Sequence, residues 1–155
     1  MSIYFTTNQY LRTAEEDFEA AELLYGHKYY DQIGTLLSVA MTKYLKAIIE
    51  ATIPDEESST FFMTEDKQEL LRVIKTKNPN ILISSAECRW MDNVYSKANC
   101  TDGIHVVMPK QTIVEAFRLV ANVRKYARDL DKAAVTEDRY FFAGLLKRKT
   151  ISEDK

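Results

Sequence analysis

Two histidines, His27 and His105, are the side chains of this 155-residue chain best suited to moving a proton near neutral pH. His105 falls in an irregular stretch, 99–108, beside Gly103. It reads either as a loop histidine or as a contact to a nucleotide or RNA. His27 follows Gly26, where a cation at a helix end favours the dipole. Phosphate binding would fall to cations: Arg89, Lys97, Lys43, Lys46 and the cluster Arg124/Lys125/Arg128. Arg124 and Arg128, four apart, share one helix face, although Asp129 and Asp131 follow closely. Lys43 and Lys46 fit a solvated face with buried stems as well as a phosphate site. Trp90 and nine tyrosines offer rings, for packing or for stacking on bases. No carboxylate pair for acid–base work, no metal cluster and no nucleophile–base constellation stands out. Cys88 and Cys100 lack zinc spacing and read as two reduced thiols. No metal or other cofactor is expected.

Composition narrows the elements that position these residues. Only 4 Gly and 3 Pro occur. Sandwiches and barrels need more turns. Neither GxGxxG nor GxxxxGK[ST] is present, so the usual glycine loops for dinucleotides and NTP phosphates are absent. The formal net charge of −2 conceals an asymmetry, −8 over residues 1–70 and +6 over 71–155. Such polarity suits an anionic ligand on the second half, a head-to-tail partner, or merely differing solvated faces. Met1–Tyr10 lacks the pattern of a signal peptide, and no apolar run would span a membrane, so a cytoplasmic protein is expected.

Hydrophobic periodicity then places helices. Tyr10, Ala14, Phe18, Ala21 and Leu24 make one face of a helix over about 7–27, capped by Thr7 and ended by a left-handed Gly26. Ile33, Leu37, Ala40, Tyr44 and Ile48 repeat the pattern over about 29–51, so the two should form a hairpin. A loop around Pro54 follows. Thr64 is expected to cap a short helix carrying Leu70, Leu71 and Ile74. Asn78-Pro79 is expected to open the next, to about Lys97, burying Ile81, Ser85, Cys88 and Tyr95 with Leu82 and Met91 nearby. Pro109 opens the last long helix, to about Lys132, and Thr136 a small final one with Tyr140, Phe141, Leu145 and Leu146. The expectation is all-α, an up-down four-helix bundle with one or two additional short helices, in one domain. Residues 1–135 form the bundle, and 136–155 a short helix and charged tail.

The hairpin also resembles a known family. Ala14-Glu15-Glu16-Asp17-Phe18-Glu19-Ala20-Ala21-Glu22-Leu23-Leu24 and Lys43-Tyr44-Leu45-Lys46-Ala47 are similar to the paired motifs of HEPN domains. Thr42 stands where that family usually has glutamate. Thr64 to Ile74 resembles its T-H-D-L-x-x-L-L segment, with Glu65 at the histidine. Tyr95 to Asp102 resembles its Y-x-x-x-R-Y-P-D turn. The resemblance covers about residues 7–132. Many members are metal-independent endoribonucleases with an R-x(4–6)-H motif used from both chains of a dimer. There an arginine clamps the phosphate while a histidine moves a proton. The arginine position here is Asn99, with five residues between it and His105; Lys97, with seven between, fits poorly. Asparagine supplies no charge. What the resemblance implies is therefore a binding module without catalysis, for RNA, a nucleotide or a protein, with Asn99, His105, Lys97, Arg89 and Tyr95 as contacts. It further implies a homodimer and a nucleotidyltransferase partner, as in toxin–antitoxin systems. The alternatives are an RNA-cleaving toxin with a displaced site and a helical adaptor without nucleotide role.

Overall fold

A computed structural model describes residues 6–30, 32–53, 60–99 and 109–131, with 94–99 as helical backbone only. The described residues are all-α: α1 (Gln9–Gly26), α2 (Ile33–Thr52), a 3-10 turn (Phe61–Met63), α3 (Lys67–Lys77), α4 (Ser85–Asn99) and α5 (Lys110–Leu130). The bundle expectation holds, with four long helices and the short α3.

α2 is the axis. It packs most extensively on α1, then on α5, α3 and α4. Its sequence allows this because Leu37, Ala40, Met41, Tyr44, Leu45, Ile48 and Ile49 are all fully buried, a stripe too wide for a one-sided surface helix. α1 contributes Leu11, Ala14, Phe18 and Ala21, and α5 contributes Ile113, Ala116, Val120 and Val123.

Several helix ends differ from expectation, each for a local reason. Asn8, not Thr7, caps α1. Its Oδ1 accepts from Leu11 N–H at 3.1 Å while its Nδ2 donates to the Ala47 carbonyl at 3.0 Å. A buried amide fills the cap with its oxygen and a cross-helix bond with its nitrogen, two separate atoms on a longer side chain, where a hydroxyl has one atom for both. Gly26 is the last residue of α1, and the left-handed position is Lys28 (φ 61°). Tyr29 N–H donates to the Leu24 carbonyl at 2.8 Å and Lys28 N–H to that of Tyr25 at 3.1 Å, the Schellman pattern. α2 therefore starts at Ile33 and not near Tyr29.

Asp66, not Thr64, caps α3. Its carboxylate accepts from Gln68 and Glu69 N–H, while Thr64 Oγ1 accepts from Asp66 N–H at 3.1 Å. Pro79 does not open α4. Residues 79–80 turn, and 81–84 lack helix, with Ile81 and Ile83 buried and Leu82 95% exposed between them. That alternation is the period of extended backbone. α4 begins at a capping box. Glu87 N–H donates to Ser84 Oγ at 3.1 Å, and Ser84 N–H donates to Glu87 Oε1 at 3.0 Å. Ser85 and Leu82 are consequently exposed, whereas Cys88 and Met91 are buried as expected. The loop around Pro54, Cys100, Gly103 and the helix expected after Thr136 lie outside the described residues.

Candidate functional site

The buried charged side chains among the described residues are spent on holding elements of the bundle together. Glu15 of α1 is buried and meets three donors. Tyr44 Oη donates to Oε1 at 2.7 Å, Arg124 Nε to Oε1 at 2.8 Å, and Arg124 Nη2 to Oε2 at 3.1 Å. The Arg124 guanidinium also lies over the Phe18 ring, 4.9 Å from its centroid. Burial, then the Glu15 charge, push the Tyr44 hydroxyl far above its ordinary range. Burial alone would lower Arg124, yet its bonds to Glu15 raise it. Arg124 therefore does not share an exposed basic face with Arg128. It points into the bundle, and its charge is spent on Glu15.

Lys43, Lys46 and Lys67 follow the same rule. Lys43 pairs with Asp17 at 2.6 Å, joining α2 to α1. Lys46, its amine buried, pairs with Glu65 at 2.8 Å and lies over the Tyr10 ring. Glu65, at the position of a family histidine, thus holds the segment before α3 onto α2. Lys67, also buried, pairs with Asp92 at 2.7 Å and donates to Ser38 Oγ at 2.9 Å. One side chain ties α3 to both α2 and α4. Cys88 sits beside this pair, and burial and Asp92 push its thiol up to about 11. It is inert packing, not a nucleophile. His27 forms the end of α1 and stacks near Tyr29. Among the described residues no group of His, Cys, Asp and Glu could hold a metal ion, and no helix is long and apolar enough to cross a membrane.

Between α4 and α5 the described residues leave a cleft of about 350 Å³. Both helices rest on α2, and only sparsely on one another. Ala86, Glu87 and Trp90 line it from α4, and Glu115, Arg118, Leu119 and Asn122 from α5. The positions follow from the local sequence. The capping box fixes the first turn of α4, and Cys88 and Met91 anchor its inner side, which turns Ala86, Glu87 and Trp90 to the cleft. On α5, burial of Ala116, Val120 and Val123 turns the face with Glu115, Arg118 and Asn122 outward.

Of the expected contact residues, Arg89 is exposed on α4 next to Trp90 and does not line the cleft. Tyr95, Lys97 and Asn99 belong to the second half of α4, but their side chains, and all of His105, lie outside the described residues. Sequence reasoning missed Glu87, Glu115, Arg118 and Asn122. The spacing 115, 118, 122 was a usable signal, a polar stripe at helical steps opposite the apolar one.

A family model of the HEPN domain matches residues 7–130. No curated protein and no solved structure matches the chain. The family match spans all five helices and both walls of the cleft, and the chain belongs to the HEPN domain family.

Proposed function

We propose that this HEPN domain is a non-catalytic binding module that pairs with a second copy of itself through the face bearing the α4–α5 cleft and, so paired, takes a protein partner. The observation that carries this reading is the use of charge on α5. Its Arg124 is consumed by Glu15. The cleft holds two carboxylates, one guanidinium, a tryptophan and an apolar floor. A surface built to hold phosphates collects cations. A surface with an aromatic anchor, a leucine and charges of both signs suits protein.

Asn99 in place of the family arginine supports the absence of catalysis, since an amide has no charge for a phosphate in a transition state. Within the family, the fitting partner is a nucleotidyltransferase of a toxin–antitoxin type system. The test compares wild type and His105→Ala on structured and single-stranded RNA, then measures RNA binding across salt concentrations. The expected result is no cleavage by either protein and no binding at low salt. Cleavage by wild type that His105→Ala abolishes would overturn the non-catalytic reading. Binding that falls steeply with salt would move the partner from protein to RNA.

A further inference from the structure

Glu115 and Arg118 stand three apart on α5, the spacing at which opposite charges commonly pair within one helix. Here they do not: among the described residues neither forms an ion pair. Both are exposed, and both line the cleft. A carboxylate and a guanidinium left unpaired side by side, on a surface with an aromatic and a leucine, are arranged for charges arriving from elsewhere.

The arrangement is self-complementary. In a contact with two-fold symmetry, residue i meets residue j of the other copy and j meets i. Antiparallel helices crossing midway between Ala116 and Phe117 bring Glu115 opposite the partner's Arg118, and Arg118 opposite the partner's Glu115. The same crossing point sets exposed Gln111 against the partner's exposed Asn122. Charge meets opposite charge and amide meets amide. Neighbouring registers lack this. A crossing centred on Glu115 sets two carboxylates face to face, and one centred on Arg118 sets two guanidiniums. Like charges in contact reject a register more strongly than a missing contact does.

We infer that the second copy docks through α5, antiparallel to α5 of the first, with Glu115 of each copy paired to Arg118 of the other and Trp90 covered at the edge of the contact. This rests on the self-pairing reading above and adds its register and its specificity-determining residues.

The test is charge reversal, read by sedimentation over a range of concentrations. Wild type is measured first and is expected to dimerise. Glu115→Arg and Arg118→Glu should each weaken the dimer at least about ten-fold, because each faces like charges twice across the two-fold axis. Circular dichroism should show both variants folded, since both positions are solvent-exposed. Mixing the two variants should restore a dimer, since every facing pair is then opposite in sign. The double reversal should restore self-association alone. As the chain's only tryptophan, Trp90 gives a second readout, an emission shift to shorter wavelength on association. A wild type that stays monomeric overturns self-pairing altogether. A wild-type dimer that tolerates both reversals, or variants that fail to pair when mixed, overturns this register and leaves self-pairing standing.

Discussion

Arg124 closes on Glu15 across 109 residues of sequence, with Nε at 2.8 Å and Nη2 at 3.1 Å from the two carboxylate oxygens. The pair joins α1 to α5, which otherwise touch little. Tyr44 of the central helix completes the carboxylate's shell. Phe18 covers the guanidinium from one side and packs edge-on against Tyr44 and Phe117. The polar contact is thus built into the aromatic part of the core.

Removing one member of this pair should cost more than removing both. Arg124→Ala leaves a buried carboxylate short of two donors and should lower stability by about 3 kcal/mol. Tyr44→Phe removes one donor and should cost about 1–2 kcal/mol. The double change Glu15→Leu/Arg124→Met leaves no uncompensated charge and should be milder than Arg124→Ala. Urea unfolding of the four proteins measures this. A double variant that loses as much stability as Arg124→Ala, or more, would show that the pair is not coupled.

The end of α1 yields a second expectation. Its one glycine is helical, and a Cβ added there would meet nothing within 4 Å. Its left-handed position holds Lys28. Gly26→Ala should therefore stabilise by about 0.5–1 kcal/mol, the ordinary gain of alanine in a helix. Lys28→Gly should stabilise by a similar amount, about 1 kcal/mol, by relieving an L-residue at positive φ. Thermal melts decide it. A loss on Gly26→Ala would place the left-handed residue at 26 after all.

The helices were legible in the sequence, while several of their ends and the cleft were not. Steps of three and four in apolar residues survive any tertiary arrangement, so α1, α2 and α5 read directly. Caps are decided by what else a side chain reaches. Thr7 and Asn8 are both good caps in isolation, and Asn8 prevails because its amide also reaches Ala47. Arg124 and Arg128 share a helical spacing, which says nothing of the carboxylate on α1 that draws one of them inward. The cleft exists because α4 and α5 rest on α2 and only sparsely on one another, a property of packing that no local pattern encodes. The HEPN-like motifs, mostly apolar, identified the family because they describe this core.

Alkaline pH should unfold the protein by a definable route. The folded Tyr44 hydroxyl and Cys88 thiol both hold their protons above the unfolded values, because burial disfavours their anions. A raised pKa contributes stability in full below the unfolded value and loses it as pH climbs toward the folded one. For Cys88 that window runs from 9.0 to about 11. For Tyr44 it opens near 10.0. Urea midpoints should stay level to about pH 9 and then fall. Cys88→Ala and Tyr44→Phe should each be less stable at pH 7 and fall less steeply above pH 9. Unchanged slopes in both variants would assign the alkaline loss to other groups.

The capping box offers the last expectation, since it ties a local bond to the cleft. Ser84 and Glu87 satisfy one another's backbone N–H groups at the start of α4, and Glu87 also lines the cleft one turn before Trp90. Ser84→Ala should cost about 1 kcal/mol. It should also free the first turn of α4, so that Trp90 emission shifts to longer wavelength and is quenched more readily by iodide. Thr64→Ala, at a position next to a helix start but not its cap, should leave emission unaltered and cost less than Asp66→Ala. Stability and Trp90 emission measured together separate the two effects. A Ser84→Ala protein that is less stable but has unaltered emission would show that Met91 and Cys88, not the capping box, hold Trp90 in place.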